Sequence, residues 1–206
     1  MPKTTFFNLP EEKRQAILDA ALEEFAAYSY EQASVNRIVA RSGIAKGSFY
    51  QYFEDKRDLY FYLLQQASEV KMFYLAPHMA QAQTQNFFTL LRDLYGAAIQ
   101  FAMEHPRYAE LGKRLMDSKG SAIYDEIMAA HADEAIEFFA SLLQNAIDQG
   151  EVRADINVPM FAHLIVSLNT LIMAYYLEHI ARDYDDRLLE TLDSFITFLR
   201  HGLVAS

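Results

Sequence analysis

The sequence predicts an all-α protein. Apolar residues recur mainly at spacings of three and four positions along the 206-residue chain, and few stretches alternate between apolar and polar residues. Glycine and proline, which interrupt helices, occur seven and five times. Hydrophobic residues make up 52% of the chain and charged residues 22%, a composition typical of a globular protein with a sizeable core. We therefore expect helices throughout, divided into a small domain over residues 1–55 and a larger helical domain over residues 56–206.

The first long helix should follow a loose arm at residues 1–9. Pro10 and Glu11 are typical of a helix start, because proline is tolerated in the first turn and acidic side chains interact favourably with the positive end of the helix dipole. An apolar stripe then continues to about Ala27 and is formed by Ile17, Leu18, Ala21, Leu22 and Phe25. We expect this helix to brace the segment that follows it.

Residues 34–59 predict two short helices joined by a tight turn. The first should cover residues 35–41, and the hydroxyl of Ser34 can accept a hydrogen bond from an unpaired N–H group at its start. Gly43 lies where the backbone after a helix often needs a positive φ. The second helix should cover residues 45–53. This helix-turn-helix outline is typical of proteins whose second helix lies in the major groove of DNA.

Polar residues of the second short helix fall at or near its outer face, because the apolar residues at 38, 39, 44, 49 and 53 would bury the inner faces. Lysine and tyrosine can bind phosphates, and glutamine and serine can bind base edges. The predicted DNA contacts are Ser34, Arg37, Lys46, Gly47, Ser48, Tyr50, Gln51, Tyr52 and Lys56. A packed helical hairpin with an ordinary solvated face explains the apolar spacing equally well. It does not explain why Lys46, Tyr50 and Lys56 occur together around a glycine.

A third helix should begin at Lys56. Asp55 can cap it, and Asp58 three residues later completes a box-like start. Lys56 lies at the end of the helix whose free N–H groups already favour a phosphate. We expect the helix to run to about Leu75, because Pro77 should stop it.

Further helices are expected in the rest of the chain. Their predicted ranges are 86–103, 107–117, 121–149, 158–181 and 186–203. The last two helices are apolar over more than one face, whereas a surface helix needs a single apolar stripe. The surplus indicates pairing with a second copy, and a larger core within one chain is the alternative. Residues 158–177 are long enough to span a membrane, but Pro159, His163 and Asn169 favour a buried helix of a soluble protein.

Charge is distributed unevenly along a chain whose net charge is −10. Residues 34–57 contain five basic residues against two acidic ones, and the chain from residue 61 onward contains ten against nineteen. A positive face on a negative body is typical of a protein that contacts DNA at one end. The absence of cysteine excludes disulfides and cysteine-ligated zinc, and residues 1–10 lack the apolar core of a signal peptide. We expect a cytoplasmic protein.

A series of positions in this segment matches one known pattern: Ser34, Ile38, Gly43, Ile44, Gly47, Tyr50, Tyr52, Phe53, Lys56 and Leu59. On these residues, residues 12–60 resemble the DNA-binding domain of the TetR family of bacterial transcriptional repressors. The chain departs from the family pattern at Val39 and Ser42, where the family has alanine. It also departs at Ala45, where a serine or threonine hydroxyl is common, and at residues 28–30, where the family commonly has a glycine-containing turn.

The resemblance implies a ligand-responsive repressor that binds a pseudo-palindromic operator in double-stranded DNA as a homodimer. It implies dimerisation through the last two helices, with predicted interface residues Leu164, Leu168, Ile172, Tyr175, Leu188, Leu192, Phe195 and Leu199. It also implies a pocket for a small apolar or amphipathic effector in the second domain. The residues available to line it are Tyr95, Met103, Tyr108, Met116, Tyr124, Met128, His131 and Phe138. Each of these residues is better explained as ordinary core, because methionine and aromatic residues fill cores. The polar members His131, Tyr95 and Tyr124 are the better candidates for a ligand contact.

Other functions stay open. A sensor or carrier of small molecules without DNA binding is one, although Tyr50 and Lys56 argue against it. A transcriptional activator and an α-helical enzyme are two more. The sequence has no glutamate three residues before a histidine, no HExxH motif, no phosphate-binding glycine loop and no nucleophile elbow. We therefore expect no enzyme activity, no cofactor and no metal.

Overall fold

The computed structural model describes residues 1–181, 184–185 and 187–204, except for the side chains of residues 130–133. Regular structure in these residues comprises ten α-helices and an isolated antiparallel bridge between Val152 and Val204. The helices are α1 (Thr4–Phe7), α2 (Glu11–Ala27), α3 (Val35–Ser42), α4 (Lys46–Tyr52), α5 (Lys56–Met79), α6 (Phe87–Glu104), α7 (Pro106–Asp117), α8 (Ala122–Asp148), α9 (Val158–His179) and α10 (Arg187–Leu203). The predicted all-α fold is confirmed.

Two predicted element boundaries are wrong, and one lies outside the described residues. Helix α1 occupies part of the arm that we expected to be loose. Helix α5 continues through Pro77 to Met79. A proline in the last turn removes a single helical hydrogen bond, the one to the carbonyl of Phe73, and the helix ends two residues later. Asp186, the expected first residue of α10, is outside the described part of the chain.

Contacts group the chain into two compact units. Unit 1 consists of Met1–Lys71 and His105–Asp125, and unit 2 of Met72–Glu104 and Glu126–Ser206. The grouping therefore differs from the predicted ranges 1–55 and 56–206, and the functional division of those ranges stays a prediction. Helices α5 and α8 contribute residues to both units.

Unit 1 is built around α2, which packs against α3 and α7. The apolar stripe predicted for α2 is buried, and Ile38, Phe49 and Phe53 bury the inner faces of the helix-turn-helix as expected. Other fully buried members of this core are Phe6, Leu59, Leu63 and Leu111. The core therefore includes residues from α7, which follows α6 in sequence.

Unit 2 is built around α6 and α10, which pack against each other. Four residues predicted for a dimer interface, Leu188, Leu192, Phe195 and Leu199, are instead buried in the core of this unit. The expectation fails for these four because the apolar face of α10 packs within its own chain, and a sequence pattern does not distinguish an internal partner from a second copy. The other four lie on α9: Leu164 and Tyr175 are exposed, and Leu168 and Ile172 are half-buried.

Helix α9 is the described helix whose length and composition would allow it to cross a membrane. One such helix is weak evidence for a membrane protein, because core helices of soluble proteins pass the same test. We expected a buried helix of a soluble protein, and within the described chain 11% of its most apolar window is buried. The buried residues are Ala162, Ile165 and Tyr176, so α9 retains a broad apolar surface.

Candidate nucleic-acid interface

The turn between α3 and α4 has the predicted geometry. Gly43 has a φ of +70°, a backbone conformation that glycine adopts without strain, and its N–H group bonds back to the carbonyl of Val39. Ser34 occupies the N-cap position of α3, but its hydroxyl makes no capping hydrogen bond within the described residues. Its backbone N–H instead donates to a carboxylate oxygen of Glu24, at 2.8 Å.

Helix α4 presents a polar outer face. Lys46, Gly47 and Gln51 are exposed, Tyr50 is 45% exposed and Ser48 is half-buried. Apart from its chain neighbours and the backbone of its own helix, no atom of the described residues lies within 4 Å of the position that a Cβ at Gly47 would take, so the backbone there is open to close approach. Across the described residues, the side chains of Lys46 and Gln51 make no hydrogen bond or ion pair. Their donors and acceptors therefore remain available to a partner.

Tyr52 does not belong to this face. Its side chain is 7% exposed, and its ring centroid lies 6.4 Å from that of Phe6. The sequence placed it with the outer residues because α4 is short and Tyr52 is its last residue, where the direction of the side chain depends on what packs there. The segment that packs there is the N-terminal arm.

The N-terminal arm holds the end of α4. Lys3 donates two hydrogen bonds, from its backbone N–H to the carbonyl of Tyr52 at 2.8 Å and from Nζ to the carbonyl of Tyr50 at 3.0 Å. The hydroxyl of Thr5 donates to the carbonyl of Gln51. Phe6 is fully buried, and its ring centroid lies 4.9 Å from that of Phe53. The expectation of a loose arm is therefore wrong: the arm satisfies the carbonyls that a helix leaves free at its C-terminal end.

Lys56 is bound within the protein rather than free at the surface. Its Nζ donates to the backbone carbonyls of Tyr30, Ala33 and Glu31 at 2.5, 3.0 and 3.3 Å, and it lies 4.5 Å from the centre of the Tyr30 ring. An ammonium group has three donors, and all three are used. The predicted phosphate contact of Lys56 would therefore require it to leave these carbonyls.

The start of α5 has the predicted box-like cap. Asp55 accepts a hydrogen bond from the N–H of Asp58 at 2.8 Å, and Asp58 accepts one from the N–H of Glu54 at 3.1 Å. Because both carboxylates are engaged, the position of α5 is fixed next to the end of α4.

A buried carboxylate at Glu24 fixes the start of α3. Its side chain is fully buried and accepts a hydrogen bond from Nε of Arg37 at 2.7 Å. Arg37 also donates to the carbonyl of Gln32 at 2.8 Å and lies 4.2 Å from the centre of the Tyr28 ring. Burial by itself would raise the pKa of Glu24, but the hydrogen bonds from Arg37 and Ser34 and the nearby charges outweigh it, so its pKa is lowered. Arg37, a predicted DNA contact, is therefore held by partners within unit 1, although its side chain is 45% exposed.

Ion pairs connect α7 to the same part of the unit. Arg107 lies 3.6 Å from a carboxylate oxygen of Glu23, and Arg41 of α3 lies 3.4 Å from the other oxygen of that carboxylate. Arg114 donates to the carbonyl of Ala26 at 3.0 Å. Exposed pairs of this kind contribute little individually. They nevertheless show that Glu23 bridges α3 and α7.

The residues predicted to line an effector pocket lie in different surroundings. In unit 2, Tyr95 is buried, Met128 and Phe138 are half-buried and Met103 is 48% exposed. In unit 1, Tyr108 and Tyr124 are half-buried and Met116 is 40% exposed. The side chain of His131 lies outside the described residues. The structure therefore does not gather these residues into one described pocket, and their role stays a prediction.

Sequence reasoning missed Glu24 and the arm residues Lys3, Thr5 and Phe6. A glutamate at the end of an amphipathic helix gives no signal of burial, because its partners come from the next helix. The two phenylalanines at positions 6 and 7 were a usable signal, since adjacent aromatic residues are unusual in a solvated arm. In the part of the chain that is described, no three histidine or acidic residues cluster as a metal site would require.

Several known proteins are similar to this chain in sequence, and a solved structure is also similar in fold. Residues 17–63 match the model of bacterial regulatory proteins of the tetR family. The crystal structure of a TetR family transcriptional regulator from Chloroflexus aurantiacus J-10-FL is 31% identical, aligns over 100% of both chains and has a TM-score of 0.74. An HTH-type transcriptional repressor of Mycobacterium tuberculosis is 33% identical over 101 residues, 49% of this chain and 50% of that protein. An HTH-type transcriptional regulator of Staphylococcus aureus is 25% identical over 82% of this chain and 84% of its own length.

Proposed function

The chain belongs to the TetR family of bacterial transcriptional regulators, and we propose from this that it is a cytoplasmic repressor that binds a pseudo-palindromic operator as a homodimer and is released by a small effector. The observation that carries the proposal is the outer face of α4. It combines an exposed lysine, tyrosine and glutamine with a glycine at which the backbone is open. The lysine and the tyrosine suit phosphates, and the glutamine suits base edges. The glycine allows close approach to DNA.

Within this proposal, the residues of α4 and those around it have different roles. Lys46, Ser48 and Gln51 lie nearest the bases, and Tyr50 binds a phosphate. Gly47 allows the helix to approach the groove. Ser34, Arg37 and Lys56 position the reading helix by holding the backbone around it, since the polar groups of Arg37 and Lys56 are engaged inside unit 1. Tyr52 acts from the core by packing on the arm.

The apolar surface of α9 supports the proposed homodimer. Met160, Leu164, Leu171 and Tyr175 of α9 are between 40% and 61% exposed, and Phe198 of α10 is 69% exposed. A soluble monomer rarely leaves such residues together in solvent. Two copies paired through α9 and the outer side of α10 would cover them and place two copies of α4 on one operator. Such half-sites are about 34–36 Å apart.

The effector response is proposed to act through α5. This helix is continuous from Lys56 to Met79, so a displacement of its later turns changes the angle at which Lys56 meets the loop at residues 30–33. A ligand shifts DNA affinity only if it favours one of the two arrangements over the other. An apolar or amphipathic molecule fits the apolar composition of unit 2.

The test is selection of bound fragments from random DNA, with a Lys46→Ala plus Gln51→Ala variant as control. We expect the wild type to recover an inverted repeat and the control to recover none, while both elute as dimers from a sizing column. A reporter placed behind the recovered site should be silenced by the wild type. Recovery of single half-sites would contradict the dimer, reporter activation would contradict repression, and no enrichment at low salt would contradict DNA reading by α4.

A further inference from the structure

Two buried tyrosines of unit 2 differ in how their hydroxyl groups are satisfied. Tyr176 in α9 is fully buried, and its hydroxyl donates a hydrogen bond to the carboxylate of Asp185. Tyr95 in α6 is 5% exposed, and its hydroxyl has no hydrogen-bond partner among the residues that the structure describes. Burying a hydroxyl group without a partner is unfavourable, and folded proteins rarely do so. Tyr95 therefore needs a partner that the described chain does not supply.

The packing of the Tyr95 ring does not explain its hydroxyl. Leu91 and Ile99, four residues before and after Tyr95 on α6, are buried in the same core cluster. A phenylalanine would fill the same place in this apolar stripe without burying a polar atom. The hydroxyl is therefore a feature of the sequence that the fold of unit 2 does not require.

A second polar atom in unit 2 is in the same situation. Asn169 lies on the stripe of α9 that contains Ile165 and Tyr176, both fully buried. Its Oδ1 atom is buried and has no hydrogen-bond partner in the described part of the chain. The apolar stripes of α6 and α9 are thus each interrupted by one polar residue with an unpaired buried atom.

The surroundings of Tyr95 select the chemistry of its missing partner. The cluster around it consists of buried apolar side chains from α6, α8, α9 and α10. Burial raises the pKa of Tyr95, so its hydroxyl stays protonated and acts as a donor. No charge of the described residues contributes to that shift. An ionised group placed there would lack a counter-charge and would be strongly disfavoured, whereas an uncharged oxygen would be a good acceptor.

On the side of α9, the core of unit 2 is bordered by side chains that are not fully buried. Phe161, Leu168, Ile172 and Met173 of α9 pack against the cluster but remain partly exposed. A helix held by partly buried side chains can move away from a core at less cost than one that is fully enclosed. A shift of α9 would therefore open the cluster that contains Tyr95 to an apolar molecule.

We propose that Tyr95 anchors the polar end of an uncharged, mainly apolar effector inside unit 2, by donating a hydrogen bond to a hydroxyl or carbonyl oxygen of that molecule. The apolar part of the effector lies among the leucine and isoleucine side chains of the cluster. The claim that this molecule controls DNA binding rests on the proposed function. The binding step itself does not.

The first test compares two tyrosine-to-phenylalanine variants of the ligand-free protein by chemical denaturation. Tyr95→Phe should be at least as stable as the wild type, because it removes an unpaired buried hydroxyl. Tyr176→Phe should be less stable, because it removes the donor to Asp185. A loss of stability in Tyr95→Phe as large as that in Tyr176→Phe would overturn the proposal, since the hydroxyl would then already have a partner, such as a buried water.

The second test uses 1-octanol and octanoate as probes, two molecules of equal length that differ in charge, with binding measured by calorimetry. The wild type should bind 1-octanol more tightly than octanoate. Tyr95→Phe should weaken the binding of 1-octanol by roughly three- to tenfold, while folded Tyr176→Phe should retain it. Equal affinity of the wild type and Tyr95→Phe, a preference for octanoate, or no binding of 1-octanol would each overturn the proposal.

DNA binding separates failure of this inference from failure of the proposed function. If 1-octanol binds in a manner that depends on Tyr95 but the protein selects no DNA, the site stands and the regulator does not. If the protein selects an inverted repeat but 1-octanol binding ignores Tyr95, the regulator stands and the site does not. If both hold, 1-octanol should weaken operator binding by the wild type more than by Tyr95→Phe.

Discussion

Two sets of polar side chains in unit 1 have similar chemistry, but one set has polar partners within the protein and the other has none among the described residues. The side chains of Lys46 and Gln51 on the outer face of α4 are exposed and make no polar contact within the described residues. Lys56 is half-buried and Arg37 is 45% exposed, but three backbone carbonyls hold the first and the Glu24 carboxylate holds the second. The sequence predicted DNA contacts for all four. The difference shows that a basic residue near a reading helix has two possible partners, and an internal acceptor decides which one it binds.

The largest expected effect separates the two lysines. Lys56→Met should lower the free energy of unfolding by about 3 kcal/mol, because three carbonyls lose a charged donor at once. Lys46→Met should change stability by less than about 0.5 kcal/mol, as exposed substitutions usually do. Urea denaturation of the two variants measures both values.

In the salt dependence of DNA binding, Lys46→Met should have the larger effect and Lys56→Met the smaller. Lys46→Met should reduce the slope of log K against log salt by about 0.9, because the charge of Lys46, although next to the bases, also neutralises one phosphate. Folded Lys56→Met should leave the slope unchanged. A reduced slope for Lys56→Met would mean that Lys56 leaves its carbonyls and binds a phosphate in the complex.

Discrimination between base pairs is a further test of the exposed residues of α4. Gln51→Ala should relax discrimination at one or two base pairs of the selected site by about 1–3 kcal/mol, since the amide can form two hydrogen bonds with the major-groove edge of an adenine. Stability should not change, because the Gln51 side chain is exposed. Binding to a panel of single-base operator variants measures the effect. A uniform loss across the panel would assign Gln51 to the phosphates instead.

The pH dependence of stability tests the contact between Arg37 and the Glu24 carboxylate. Its pKa in the folded protein is lowered, so its stabilising contribution is complete above the unfolded value of about 4.3 and disappears as the pH falls through the folded pKa. Glu24→Gln should cost about 1–2 kcal/mol at neutral pH. The difference between wild type and variant should shrink as the pH falls below about 4.3. A difference that does not depend on pH would show that the charge of Glu24 is unimportant.

The parts of unit 1 that the sequence predicted are those fixed by neighbours in the chain. The turn at Gly43, the cap of α5 and the buried stripe of α2 depend on residues three or four positions apart. Lys56 and its carbonyl partners are separated by 23 to 26 positions, and Lys3 and the end of α4 by 47. No local pattern encodes such pairs, so the direction of Lys56 and the docking of the arm required the structure.

Local patterns also could not show which apolar faces of the last two helices are buried within the chain. The sequence correctly indicated more apolar surface than one stripe needs, but the buried face of α10 and the exposed face of α9 carry the same residue types. Leu192 is fully buried and Leu171 is 61% exposed. Packing partners distant in sequence decide which of these leucines is free to pair with a second copy.

The smallest expected loss of stability comes from the N-terminal arm that holds the end of α4. Thr5→Val removes the donor to the carbonyl of Gln51 and should lower stability by about 1 kcal/mol. Thr4→Val is the matched control, because the adjacent Thr4 hydroxyl makes no hydrogen bond in the described residues. Operator affinity should fall in Thr5→Val and persist in Thr4→Val, since the freed carbonyl loosens the turn that presents Tyr50 and Gln51. Equal stability and equal affinity of the two variants would mean that the reading helix keeps its end without the arm.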